Sequence, residues 1–81
     1  MQILPHDLDH EFPEYASLIH ELRSHDQRLA TLCEEYEILN AAIVDIEENE
    51  KPFEDTQFEV MKKKRLRLKD EIHQTLRRRH H

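Results

Sequence analysis

Apolar residues recur along the first half of the chain with the spacing of an amphipathic helix. Two sets of positions, each repeating every seven residues from Tyr15 to Ile46, carry an apolar or aromatic side chain at nine of ten places. This spacing predicts a helix whose apolar stripe packs against a partner helix. The exception, His25, lies in 24–26, where all three residue types favour caps over helix interiors. We expect helices over 13–24 and 27–48, although one long helix also fits the pattern.

A polar segment with a proline follows this pattern and predicts a turn. Residues 47–52 end in Pro52, which disfavours helix in the residue before it, and Asn49 can adopt the left-handed conformation that often ends a helix. Thr56 and Glu59 then match a capping box. A third helix is therefore predicted over 56–78.

The two long helices are predicted to form an antiparallel hairpin, because the connection between them is short. Folding at the proline makes Ile43 face Met61 and Tyr36 face Leu68, so the apolar stripes coincide. The expected fold class is all-α, with coiled-coil-like packing. Polar residues within such a seam can fix its register, a role expected for Arg65 and Asn40. The apolar seam is predicted to comprise Leu29, Leu32, Tyr36, Leu39, Ile43, Ile46, Phe58, Met61, Leu68, Ile72 and Leu76.

The remaining segments are assigned by their lack of periodicity. Residues 1–12 show no clear period and are predicted to be a loose N-terminal arm, and residues 80–81 a C-terminal tail. The single helical-hairpin domain is therefore expected to span 13–79, since 81 residues make one small domain at most.

The composition argues against catalysis. The chain has no glycine, which phosphate-cradling loops and tight hairpins usually need. Cys33 is the single cysteine and has no His or Lys close by in sequence to lower the pKa of its thiol. His6 and His10 could bind zinc if the arm were helical, but the closed four-ligand pattern is missing. We expect no enzyme activity and no cofactor or metal.

Charge is divided sharply along the chain. Residues 1–60 hold sixteen acidic and three basic side chains, a net charge of −13, whereas residues 61–81 hold nine basic and two acidic ones, a net charge of +7. The hairpin is predicted to place Glu35 beside Lys69 and Glu37 beside Arg67. Basic residues of the third helix are the candidate contacts for a partner or a polyanion: Lys62, Lys63, Lys64, Arg67, Arg77 and Arg78.

The sequence resembles the YdcH-like family of small, uncharacterised bacterial proteins. The resemblance rests on Phe12-Pro13-Glu14-Tyr15, on the apolar spacing from Leu32 to Ile43, and most specifically on residues 61–72, MKKKRLRLKDEI. It covers nearly the whole chain. It implies a helical hairpin and a bacterial cytosolic origin, and it carries over no catalytic residues.

The surplus of apolar positions favours an interaction role. Apolar side chains off the seam, which often mark association, are Ile38, Ala41, Val44, Val60 and Leu66. We expect a non-enzymatic interaction or adaptor module that binds itself and an unidentified protein. The alternative is binding of nucleic acid or another polyanion through the basic helix. The chain shows neither a signal-peptide pattern nor a membrane-length apolar run, so we expect a cytoplasmic protein without membrane contact.

Overall fold

The protein folds as an all-α helical hairpin, as the sequence predicts. A computed structural model describes residues 7–79. These form helices α1 (Leu8–Glu11), α2 (Ala16–Arg23), α3 (Gln27–Glu48) and α4 (Asp55–Arg79), with a 3-10 turn at Pro13–Tyr15, and this range contains no strand. The two long helices, α3 and α4, pack against each other, and α2 packs against α3.

The helix break at 24–26 is present, so the alternative of one long helix is excluded. Asp26 is extended and its carboxylate oxygen accepts a hydrogen bond from the Leu29 N–H at 3.1 Å, which satisfies one of the unpaired donors at the start of α3. The Ser24 hydroxyl donates to the Glu21 carbonyl at 2.8 Å and thereby competes with continuation of α2.

Residues 7–12 differ from the predicted loose arm. Asp7 caps α1 by accepting a hydrogen bond from the His10 N–H at 3.0 Å, and both Leu8 and Phe12 are buried. Pro13 begins the 3-10 turn, so the regular helix starts only at Ala16. The polar residues between Leu8 and Phe12 mask an apolar spacing of four, which is why this segment showed no clear period. Residues 1–6 of the predicted arm and the tail 80–81 lie outside the described residues.

The turn between the long helices differs from prediction in two details. Glu50, rather than Asn49, takes the left-handed conformation, with φ of 49°. The Lys51 N–H then donates to the Ile46 carbonyl at 3.1 Å, the longer bond of a Schellman motif. Asn49 stays near the helical region, and its amide donates to Asp45 at 2.6 Å. At the other side α4 begins at Asp55, so Thr56 lies in the first turn and is not the N-cap.

The core consists of the seam together with residues of the N-terminal segment, by which we mean residues 7–23. Of the predicted seam, Leu29, Tyr36, Ile43, Leu68, Ile72 and Leu76 are buried, and Leu32, Leu39, Ile46, Phe58 and Met61 are half-buried. Fully burying such an aliphatic or aromatic side chain stabilises the fold by about 1.5–3 kcal/mol. Leu8, Phe12 and Ile19 join the same cluster, as does Cys33. The buried face of α3 is thus wider than one coiled-coil stripe, because it contacts both α4 and the segment before it.

Candidate interaction surface

The N-terminal segment supplies the charges that pair with one side of the hairpin. Arg23 donates two hydrogen bonds to the Glu37 carboxylate, at 2.9 and 2.8 Å. The Lys69 Nζ donates to Glu11 at 3.1 Å. The predicted pairs, Glu37 with Arg67 and Glu35 with Lys69, are therefore not the ones that form. The reason is that the segment 7–23 folds over this side of the hairpin and brings its own charged groups.

The Arg23–Glu37 pair is the clearest electrostatic feature of the α2–α3 contact. The pKa of the Arg23 guanidinium is raised, mainly by its two hydrogen bonds to Glu37. Burial of the guanidinium lowers this pKa by a smaller amount. Such two-bond geometry adds orientation as well as energy. Both side chains are substantially exposed, so the pair fixes how α2 lies on α3 more than it stabilises the fold.

Arg65 and Asn40 meet across the hairpin, as the sequence analysis expected. The Arg65 Nη1 donates to the Asn40 Oδ1 at 2.9 Å, and only 1% of the Asn40 surface is exposed. A buried amide that must be hydrogen-bonded restricts how far α4 can slide along α3, since any other register would separate the pair. The contact is therefore suited to fixing the register of the two helices.

Two further basic residues of α4, besides Arg65 and Lys69, are engaged within the chain. Lys62, one of the candidate partner contacts, lies with its Nζ 4.6 Å from the centre of the Phe58 ring and 3.6 Å from Glu59. Arg79 donates to the Asp26 carboxylate at 2.9 Å and so ties the end of α4 to the start of α3. The cationic groups of these two side chains are partly satisfied without an external partner.

The other five candidate basic residues have no ionic partner in the part of the chain that the structure describes. They are all exposed: Lys63, Lys64, Arg67, Arg77 and Arg78. On α3, Glu34 and Glu35 are likewise exposed and form no ion pair within residues 7–79. The chain therefore displays unpaired positive charge on α4 and unpaired negative charge on α3.

Apolar side chains lie among these free charges. Ile38 on α3 is 65% exposed, and Val60 and Leu66 on α4 are 61% and 55% exposed. A shallow groove along α4 is lined by Val60, Lys63, Lys64, Arg67, Leu68 and Glu71. Ala41 is exposed as well, but Val44 is buried and does not belong to the surplus apolar set predicted from the sequence.

The single cysteine and one of the two tyrosines, Cys33 and Tyr36, are buried in the core. Burial raises the pKa of the Cys33 thiol to about 11, with Arg23 lowering it and Glu37 raising it by smaller amounts. Burial likewise raises the pKa of Tyr36 to about 12, with nearby acids adding to the effect and Arg65 opposing it. At neutral pH Cys33 is thus a protonated thiol, which is a poor nucleophile.

The described residues do not gather metal ligands. Between residues 7 and 79, no group of three or more His, Cys, Asp or Glu side chains is placed to hold an ion. His10 contacts Asp7 at 3.0 Å, and His6 lies outside the described range. Among the helices of residues 7–79, none is both long enough and apolar enough to span a membrane.

Sequence reasoning missed the aromatic contact that docks the N-terminal segment. His73 on α4 stacks on Phe12, with ring centres 5.4 Å apart, and also lies 6.1 Å from the Tyr15 ring. The His73 side chain is half-buried in this contact. A signal did exist, because Phe12 and Tyr15 are three apart, the spacing of one face of a helical turn.

The fold and this surface define a small all-α hairpin protein that carries separated acidic and basic helices. The chain belongs to the family described as "Protein of unknown function (DUF465)", whose model matches residues 29–76, more than half of the chain and most of α3 and α4. Neither a curated protein nor a solved structure matches it significantly.

Proposed function

We propose that this protein is a non-enzymatic interaction or adaptor module that assembles with itself and with a further protein. The observation that carries the proposal is the combination of exposed apolar residues and unpaired charges on the two long helices. Ile38 and Val60 project into solvent beside Glu35 and Lys64, side chains without an ionic partner within residues 7–79. Apolar groups among complementary charges are typical of surfaces that bind other proteins.

The burial of the Cys33 thiol supports a non-enzymatic role. Cys33 is fully buried, and the pKa of its thiol is raised to about 11. Nucleophilic catalysis needs the opposite, an accessible thiol with a lowered pKa. Binding a partner requires only an exposed helical surface, which the hairpin provides.

Light scattering over a wide concentration range tests the proposal. The chain has a mass of 9.9 kDa, and the proposal expects a mass above this value that rises with concentration from micromolar to millimolar. A monomer throughout that range would contradict self-association. Chemical crosslinking in cells of the source organism then tests for the further protein, with the purified protein alone as the control.

Binding of a polyanion is the second candidate, because five basic residues of α4 form no ion pair within residues 7–79. Arg77 and Arg78 extend this charge to the open end of the hairpin. The acidic residues of α3 lie on the adjacent helix and repel a polyanion at long range. A gel-shift assay at low salt, with duplex and single-stranded nucleic acid, tests this second candidate function. The absence of a shift at micromolar protein would contradict nucleic-acid binding.

The family match is compatible with the YdcH-like resemblance, and we propose that the two describe the same group of proteins. A bacterial cytosolic setting follows from that resemblance as part of the proposal. Fractionation of the source cells, with immunodetection of the protein, tests the location. Recovery in the membrane or secreted fraction would contradict it.

A further inference from the structure

A cleft lies at the open end of the hairpin, where the start of α3 meets the end of α4. Its volume is about 330 Å³, and it is lined by Asp26, Arg28, Thr75, Arg78 and Arg79. Arg28 lies in the first turn of α3 and is the only basic residue of that helix, whereas Arg78 and Arg79 lie in the last turn of α4. Two helices of opposite net charge thus place guanidinium groups around one cleft.

The one carboxylate that lines this cleft is already engaged. One oxygen of Asp26 accepts a hydrogen bond from the Leu29 N–H at 3.1 Å, and the other accepts from Arg79 at 2.9 Å. Arg28 and Arg78 are both exposed and form no ion pair within residues 7–79. Three guanidinium groups against one carboxylate give the cleft a net charge of +2, and Arg28 and Arg78 are the cations that remain unpaired.

Other charges change this balance little. The dipoles of the two long helices oppose each other at the open end, because α3 begins and α4 ends there. The next acidic residues on the same sides of the two helices, Glu35 and Glu71, lie seven residues from Arg28 and Arg78, respectively. Seven residues are about 10 Å along a helix axis, whereas salt screens exposed charges over about 8 Å at physiological ionic strength. The cleft is therefore a local site of positive charge.

We infer that this cleft binds the phosphate group of a phosphomonoester. Such a group carries a charge of about −1.5 to −2 at pH 7 and three terminal oxygens that accept hydrogen bonds, which matches two unpaired guanidinium forks. A carboxylate has one charge and two oxygens, and one arginine of this chain can satisfy it, since Arg23 donates two hydrogen bonds to Glu37. Two unpaired arginines at one cleft therefore fit a phosphomonoester better than a carboxylate.

This inference goes beyond the proposed function, because a ligand site at the open end needs neither a second copy nor a further protein. It also differs from the polyanion candidate. An internal phosphate of a nucleic-acid strand is a diester with one charge. The charges along the middle of α4, on Lys63, Lys64 and Arg67, do not line this cleft. The cations at the open end are all arginines, whose forks can bind two oxygens of one phosphate, whereas a lysine contributes a point charge.

Titration with two phosphomonoesters, followed by NMR signals of the arginine side chains, tests the inference. The probes are O-phosphoserine and a nucleoside 5′-monophosphate, because the same phosphate group occurs on proteins and on small molecules. Both should shift the guanidinium signals of Arg28 and Arg78 saturably. Dimethyl phosphate and acetate each carry one charge and two terminal oxygens, so they should bind about tenfold more weakly or worse.

Variants that remove one guanidinium locate the site. Arg28→Gln and Arg78→Gln should each weaken phosphomonoester binding about tenfold, because each removes charge-assisted hydrogen bonds to the phosphate. Arg67→Gln is the matched control, since Arg67 is also exposed and unpaired within residues 7–79 but does not line the cleft. This control should bind like the parent. Circular dichroism checks that all three variants keep the parent helicity.

Each outcome supports or overturns the inference. Binding of both monoesters supports a site that recognises the phosphate alone, and binding of only one supports the site and identifies the source of the phosphate. Failure of both probes to shift the arginine signals at millimolar concentration would overturn the inference. Equal affinity for acetate, or equal weakening by Arg67→Gln, would also overturn it. These results are independent of self-association, which light scattering measures.

Discussion

At the scale of single residues, Asn40 and Arg65 show how a polar contact can specify a helical seam. Asn40 lies on the same face of α3 as the apolar residues Tyr36 and Ile43, and Arg65 interrupts the apolar stripe of α4. The sequence predicts that these two residues meet, because the hairpin turn sets their heights along the helices. Sequence could not predict that Asn40 is almost fully buried, since this depends on how the side chains around it pack.

A double-mutant cycle measures the Asn40–Arg65 contact. Asn40→Leu and Arg65→Leu each remove one partner, and each should lower the free energy of unfolding, because a buried polar group that loses a hydrogen bond costs about 1–3 kcal/mol. The double variant should lose less than the two single losses added together. Strict additivity in urea denaturation would contradict a direct role for this contact.

Glu50 occupies a backbone conformation that glycine adopts more readily. A left-handed conformation costs a residue with a side chain about 1–2 kcal/mol. Glu50→Gly should therefore raise the free energy of unfolding by about 1 kcal/mol, less the entropy that glycine loses on folding. Asn49→Gly is the control: its φ is −98° and its amide donates to Asp45, so it should give no gain in the same denaturation experiment.

The buried thiol of Cys33 makes stability depend on alkaline pH. Its pKa rises from 9.0 to about 11 because burial disfavours the thiolate, so the unfolded chain loses this proton at lower pH than the folded one. Stability from this group is complete below pH 9 and is lost between pH 9 and about 11. Urea denaturation across this window should show a smaller decline in Cys33→Ala than in the parent. Equal declines would contradict this assignment.

At the scale of secondary-structure elements, the hairpin follows from local sequence signals and the docking of the N-terminal segment does not. Asp26 as a cap, the polar turn and the two apolar stripes are all local features, and each predicts its element. The contact of Phe12 with His73 joins residues far apart in sequence and is formed by one short turn. No periodic pattern in the sequence predicts such a contact, and for this reason the sequence predicts a loose arm for residues 1–12.

This docking predicts that the N-terminal segment contributes substantially to stability. Phe12 is 5% exposed and contacts both Tyr15 and His73. Phe12→Ala should lower the free energy of unfolding by about 3–5 kcal/mol, as is usual for a buried phenylalanine. Phe53→Ala is the matched control: this ring is 43% exposed and should cost far less. Equal losses in thermal denaturation would mean that the segment is not held by the core.

At the scale of the whole molecule, the division of charge along the sequence becomes a division between two helix surfaces. The sequence predicts that acidic α3 and basic α4 would neutralise each other within one chain. They do so less than expected because Arg23 and Glu11, from the segment before the hairpin, pair with Glu37 and Lys69 instead. Which charges remain free could not be predicted, since it depends on the docked position of that segment.

The central claim is that these free charges hold two copies together, and its most direct measurement is sedimentation equilibrium of the parent protein at low and high salt. Exposed charge pairs are screened at high ionic strength, whereas apolar contacts are not. The account predicts a dimer at low salt whose dissociation constant rises as salt is added. A monomer at all concentrations, or a dimer whose affinity does not fall with salt, would contradict it.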